Sequence, residues 1–431
     1  MHRLFRLGFV ASATILFMVA MSASQVVYAQ LVISEFRVRG PNGANDEFIE
    51  IYNNSGADHT VAGGGTGYAV VASNGVARCV ILNGTVIPNR GHYLCTNSVG
   101  YSLASYPAGN GTTATGDATY TTDIPDNAGI AMFNTSLPAN FVLANRLDAV
   151  GSTSEANTLY KEGVGYSALT PFSIDYSFYR KIVGTCTNSP NNCGHVSGSF
   201  PLSGITGLPQ DTNNNAADLV FVDTNGTSAG AGQRLGGPGP ENLSSPINRN
   251  GVVAFALLDA TKSASIDPNQ NRAGGAFCAP PNPVVPPCVP ANNSTFGTLA
   301  VRRRMINNTG GNVTRLRFRI IDQTTFPAVS GVADLRTITS APVVIATIND
   351  SATCAAKTPP EAAPCSVTVQ GTTLEQPPSQ PNGSAYNSTL SVGVVTLGTP
   401  VPPGASINVQ MVVGVQQLGK FRFFMNVEAL P

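Results

Sequence analysis

The sequence predicts an all-β protein built as two sandwich domains. Three observations carry that prediction. Short runs of β-branched and aromatic residues recur between clusters of Gly, Asn and Pro, with Gly 44 and Pro 31 in a chain of 431 residues. Apolar residues at helical spacing are scarce. Hydrophobic residues reach 42% while charged residues are only 11%, so there is apolar material for more than one core. The 24 basic and 24 acidic side chains leave no net charge. A neutral chain lacks the basic footprint of a general nucleic-acid binder, and its apolar content argues against wholesale disorder.

The elements follow in chain order. Arg3 and Arg6 precede an apolar run over residues 7–21, and Val27-Tyr28-Ala29 supplies a small-residue exit. That is the pattern of a signal peptide over residues 1–29, leaving Gln30 as the first mature residue. The apolar run is shorter than the ~20 residues of a permanent membrane helix. The expected product is secreted or held at the cell surface, with no membrane span after cleavage.

Eight cysteines fall into four sequence-local couples, the arrangement of a disulfide framework in an exported chain. Proximity predicts Cys79–Cys95, Cys186–Cys193, Cys278–Cys288 and Cys354–Cys365. Zinc would need closer cysteine spacing or histidine neighbours, and only His195 sits near a couple.

Strands are predicted at 31–38, 47–52, 68–72, 79–82, 92–96, 129–133, 147–150, 173–179 and 218–222. In the first, Val32, Phe36 and Val38 are assigned one face, with Ser34 among them. In the second, Ile49 and Ile51 oppose Phe48, Glu50 and Tyr52. This alternation suits sheets buried largely on one side. Asn53-Asn54-Ser55-Gly56 closes the second strand with turn chemistry. The first domain spans residues 30–224. Residues 225–250 are rich in Gly, Ser and Pro and read as a linker without regular structure. The second domain, 251–431, resumes with strands at 252–258, 298–305, 313–321, 343–348, 366–370, 388–396, 406–415 and 420–427. The last two are separated by residues 416–419, a spacing that suggests a hairpin.

Several phrases resemble the bacterial lamin-tail domain family. They are LVISEF at 31–36, DEFIEIYNNSG at 46–56, GYAV at 67–70, VIPNRGHYLCTNS at 86–98, GIAMFNTS at 129–136 and NRLDAVG at 145–151. SIDYSFYRKIVG at 173–184 and QDTNNNAADLVFVDT at 210–224 look like its closing signature. The resemblance implies that the first domain is an immunoglobulin-like β-sandwich and a non-catalytic module. Extra residues near 100–123 and around Cys186–Cys193 depart from the family pattern. VRRRMINNTGGNVTRLRFRIID at 301–322 and GVQQLGKFRFFMNVEAL at 414–430 look like a β-sandwich tail found after such modules.

The chemistry-bearing candidates are few. Asp211, Asn213, Asn215 and Asp218 place oxygen ligands at spacings that suit calcium. Ala216 and Val222 stand where an EF-hand needs Gly and an acid, so the competing reading is a turn whose side chains bond local amides. Glu35, Glu47 and Glu50 lie on neighbouring predicted strands, and the family resemblance implies pairing with arginines or turn amides rather than catalysis. Residues 226–230 match G-x-S-x-G by letter but lack the flanking strand and helix of a nucleophile elbow. Arg315, Arg317 and Arg319 share one face of a strand read as a half-buried edge or surface strand, with Arg302, Arg303 and Arg304 nearby. The absence of Trp weakens a sugar-stacking platform, though Tyr 12 remain. The expectation is an exported, non-catalytic binding or structural module, without a cofactor unless calcium binds, whose partner is an extracellular protein or polysaccharide and not nucleic acid. The alternative is a secreted hydrolase, or its accessory domain, with an unrecognised site.

Overall fold

The computed structural model describes residues 31–106, 114–168, 173–182, 207–225, 232–248, 290–357, 359–376 and 378–431, with backbone alone at 252–254, 270–273 and 290. The stretch expected to be a signal peptide (residues 1–29), the expected couples Cys186–Cys193 and Cys278–Cys288, and residues 226–230 lie outside the described residues. No helix among the described residues is long and apolar enough to cross a membrane.

Four sheets make up most of the molecule, and the all-β prediction holds. The first has seven strands in the order Arg234–Leu235, Leu219–Asp223, Tyr176–Arg180, Leu31–Arg37, Phe48–Asn53, His92–Asn97 and Ala118–Tyr120. The second has four: Arg146–Val150, Ile130–Phe133, Gly67–Ala72 and Ala77–Leu82. Leu31, Ile33, Phe36, Ile49 and Ile51 from the first sheet meet Val70, Ile81, Ile130 and Met132 from the second in one apolar core. Each such side chain, fully buried, contributes about 1.5–3 kcal/mol. Cys79 and Cys95 form a disulfide from one sheet to the other through that core. Gly67 has φ +153, and a Cβ there would lie 2.0 Å from the Ile81 carbonyl oxygen, so the edge pairing requires glycine. The turn after Phe48–Asn53 forms as its residues suggest: Asn53 accepts from Ser55 N at 3.0 Å, and Gly56 takes φ +83.

The first strand corrects one facing assignment. Its register shifts between Ile33 and Glu35. This bulge adds a residue, so Leu31 and Ile33 share the core side with Phe36 and Val38, while Val32 is left out of that core.

The third sheet orders Ile247–Asn248, Phe423–Leu430, Arg315–Gln323, Thr389–Ser391 and Thr373–Leu374. The fourth orders Val252–Ala254, Thr298–Ile306, Ser406–Gln417 and Asp334–Ile338, with Gln270–Ala273 also on Thr298–Ile306. Leu316, Phe318, Leu390 and Ala429 pack against Val301, Met305, Val409 and Met411 to form the second core. The expected closing hairpin is absent. Ser406–Gln417 belongs to the fourth sheet and Phe423–Leu430 to the third, because the chain crosses between the layers over residues 418–422. A small annex pairs Val343–Ile348 with Cys365–Val369. Its helix Ser351–Ala355 starts where Asp350 accepts from Thr353 N at 2.8 Å, and Cys354–Cys365 ties helix to strand.

The outer face of the first sheet meets the third sheet across a further layer, where Tyr179 and Val222 pack with Ile321 and Tyr386. Leu31–Arg37, Phe48–Asn53 and His92–Asn97 are buried on both faces, not one. The second domain covers the polar side that the alternation left for solvent. The linker stretch is part of that cover. Residues 233–242 are almost wholly buried. Arg234–Leu235 pairs in parallel with Leu219–Asp223, and Ile247–Asn248 pairs with Phe423–Leu430. A strap with one short strand in each domain replaces the unstructured linker.

Candidate functional site

The layer between the two sandwiches gathers most of the candidate side chains. Arg315–Gln323 is the centre of the third sheet, flanked by Phe423–Leu430 and Thr389–Ser391. Period two puts Leu316 and Phe318 in the second core and Arg315, Arg317 and Arg319 on the other side. The surface-strand reading is therefore corrected: all three arginines are buried, Arg317 at 0% exposure. They are held in place by carboxylates.

Arg317 stands opposite Glu428 on the neighbouring strand and donates to it from Nε at 2.7 Å. Arg319 Nε donates to the other Glu428 oxygen at 2.9 Å. Arg315 bonds Glu375 at 2.6 Å. Glu241, from the strap, pairs with Arg317 and lies 3.0 Å from Arg319 Nη2. Arg302 lies on the neighbouring sheet, with Nε donating to Gln410 at 3.2 Å.

The first domain supplies the opposing wall. Glu35 accepts from Gly239 N at 3.0 Å, and Glu50 accepts from Glu241 N at 2.7 Å and from Ser34 Oγ at 2.5 Å. His92 Nε2 lies 3.1 Å from Glu241 and 3.9 Å from Glu50. Ser34, Glu50, His92 and Glu241 border a cavity of about 40 Å³, together with Arg90, Arg319 and Glu428. Burial raises the Glu35 carboxyl and pushes Glu50 well above the usual carboxylate range, with the Glu35 charge adding to the latter. Burial, then Arg319 and Arg317, drives His92 well below an ordinary imidazole. His92 is therefore a neutral ring at physiological pH.

The third carboxylate of the sequence trio goes elsewhere. Glu47 accepts from Asn97 Nδ2 at 2.9 Å and Ile124 N at 2.7 Å, and burial pushes its carboxyl up to about 8.

The calcium candidates serve a second polar cluster inside the first domain. Arg180, fully buried, grips both Asp148 oxygens at 2.7 and 3.0 Å and reaches Asp211 at 3.5 Å. Asp218 accepts from Thr212 N and Oγ1, both at 2.8 Å, and from Gln210 Nε2 at 2.9 Å. Asn215 Oδ1 accepts from Gly151 N and Glu162 N at 2.9 Å each, while Nδ2 donates to the Ala149 carbonyl at 2.8 Å. Asn213 is exposed, with φ +56. Asn215 and Asp218 are thus committed to amides and neighbouring donors, as in the turn reading. Asp211 lies with Asp148 and Glu162 around Arg180. Burial and these two acids raise Glu162 to about 9.

Sequence reasoning missed Glu241, His92, Glu375 and Glu428 as partners. One signal existed: three arginines alternating with core residues on one strand call for buried acids. Comparison with protein families, curated proteins and solved structures finds no match for this chain.

Proposed function

We propose that the protein is an exported, non-catalytic interaction module whose two sandwiches act as one rigid body, presenting loops and sheet edges to an extracellular protein or polysaccharide. The observation that carries this reading is the placement of its reactive groups. The Glu–His–Arg layer is buried between the domains beside a cavity of about 40 Å³, room for a few waters. The outer surface supports binding. Leu82, Val86 and Leu137 are exposed at 59%, 48% and 46% around one loop, where Asn83 bonds Gly63 and Ser136 bonds Thr66. Two disulfides fit an oxidising compartment. The lamin-tail resemblance points the same way.

A hydrolase reading has one observation in its favour: Ser34, His92 and three carboxylates, Glu50, Glu241 and Glu428, border the same cavity. Against it, the Ser34 hydroxyl is spent on Glu50. The test is a glycan and cell-wall array with the protein from Gln30 onward, run beside ester, glycoside and phosphate substrates. Binding that falls at least tenfold in Leu82→Asp/Leu137→Asp, without turnover, supports the module. Turnover abolished by Ser34→Ala or His92→Ala overturns it.

A further inference from the structure

Two acids in the layer between the sandwiches lack the partner that the others have. Five buried carboxylates, Glu35, Glu50, Glu241, Glu375 and Glu428, face three buried guanidiniums, Arg315, Arg317 and Arg319. The ion pairs go to Glu241, Glu375 and Glu428. Among the described residues, Glu35 and Glu50 form none with an arginine. They stand opposite one another on neighbouring strands, 1% and 4% exposed. Two negative charges so placed repel, and burial removes the water that would screen them. The geometry offers a place for a proton instead. Ser34 Oγ lies 2.5 Å from Glu50 Oε1 and 3.3 Å from the Glu50 carbonyl oxygen. A hydroxyl both donates and accepts. A proton on Glu50 Oε1 would donate to Ser34 Oγ, which turns its own hydrogen to the carbonyl, while Oε2 still accepts from Glu241 N.

We propose that docking of the strap and second domain traps a proton on Glu50, so that the two sandwiches are latched at acidic and neutral pH and released as the solution turns alkaline. On release the carboxyl gives its proton to water. Burial and then the Glu35 charge raise Glu50 from its ordinary 4.5, so its contribution to docking is full below that value and is lost as pH climbs. Glu35, raised by burial, moves the same way to a smaller extent. His92, on the same sheet, pulls in the opposite direction. Burial, then Arg319 and Arg317, lower it, so below its ordinary 6.5 it must shed a proton to dock. Between 4.5 and 6.5 the two transfers largely offset. Above 6.5 only the carboxyl remains, and each further pH unit weakens docking about tenfold. The other facing groups hold their charge over that range. Tyr52 and Tyr179 on the first sheet are pushed above the ordinary 10 by burial. Glu241 on the strap and Glu428 on the third sheet are fixed by Arg317 and Arg319, Glu375 lies beyond them on Arg315, and Arg90 stands half-buried at the cavity rim.

The test follows hydrogen exchange at Glu241 N–H in the protein from Gln30 onward, between about pH 5 and about pH 9, as a protection factor corrected for the intrinsic exchange rate. Protection should stay level up to about pH 6.5 and then fall about tenfold per pH unit, while Ile33 N–H in the first domain keeps its own. Glu50→Gln copies the protonated acid: its oxygen can accept from Glu241 N and its amide can donate to Ser34 Oγ. In that variant the fall should flatten, leaving protection at the alkaline end at least tenfold above the parent. Level protection across the whole range in the parent, or an unchanged slope in Glu50→Gln, overturns the proposal. So does a parallel loss at Ile33 N–H, since the first domain itself would then be opening. Should Glu50→Gln fail to fold, the carbon-13 shift of the Glu50 carboxyl in the unmutated protein decides: a protonated acid at neutral pH supports the latch, and a carboxylate contradicts it.

Discussion

The layers inside the sandwiches and the layer between them are held by different physics. Within each sandwich, Ile49 and Ile51 or Phe318 and Leu390 meet apolar partners across about one side-chain layer, and their association is non-directional. Between the sandwiches, Arg317, Arg319, Glu428 and Glu241 are as deeply buried, yet each contact is directional and charged. The apolar parts of this layer among the described residues are a flank holding Tyr179, Val222, Ile321 and Tyr386 and a cluster of Phe48, Leu94 and Tyr106, whose hydroxyl bonds Thr389. An apolar interface tolerates small shifts at modest cost. A buried charged one fits a single register, because a displaced guanidinium leaves an unpaired carboxylate behind. The contrast suggests that the cores supply stability and the middle layer fixes how the two halves sit.

Each of the following outcomes would sharpen or break that contrast. Arg317→Ala removes the partner of Glu428 and Glu241 and should cost about 3–5 kcal/mol in urea unfolding, as much as a core deletion despite the polar surroundings. Ile51→Ala, in the first core, should cost about 2–5 kcal/mol and leave the pairing of the middle layer unchanged. A much smaller loss for arginine than for isoleucine would mean the charged layer is wet and loose. Replacing Cys354 and Cys365 by Ala opens a loop with a sequence separation of 11 and should cost about 3 kcal/mol, confined to the annex.

Glu47 tests burial of an acid away from any arginine clamp. Its carboxyl is raised from the ordinary 4.5 to about 8. A raised folded value means stability is full below the unfolded value and is lost as pH climbs toward 8. Glu47→Gln removes that loss, so its unfolding free energy relative to the parent should improve by a few kcal/mol between pH 5 and pH 8. An unchanged difference would show that Glu47 is ionised and well solvated. The smallest effect belongs to the exposed Lys357–Glu361 pair: Glu361→Ala should change stability by less than about 0.5 kcal/mol.

Much of the strand pattern was legible because alternation reports the core-facing side directly. Ile49 and Ile51 go to the core as their spacing predicts. The bulge after Ile33 was not legible, since an inserted residue leaves no mark on composition. Burial of the second face was hidden for a different reason. Glu35, Glu50 and His92 look the same in sequence whether they face water or a wall of arginines, and the arginines lie more than 200 residues downstream. The strap was misread because Gly and Pro disfavour regular structure without forbidding burial. Between its two short strands, the Gly239 and Glu241 amides are satisfied by Glu35 and Glu50 instead of by a ladder.

Those same two amides offer the most direct measurement. Gly239 N–H and Glu241 N–H donate across the domain boundary to Glu35 and Glu50. If the charged layer locks the halves together, hydrogen exchange at both should be as slow as at Ile33 N–H in the first domain, and should speed up at least a hundredfold in Arg319→Met. Exchange at the rate of an open loop in the unmutated protein would contradict the account, since the strap would then lie undocked and the sandwiches would move independently.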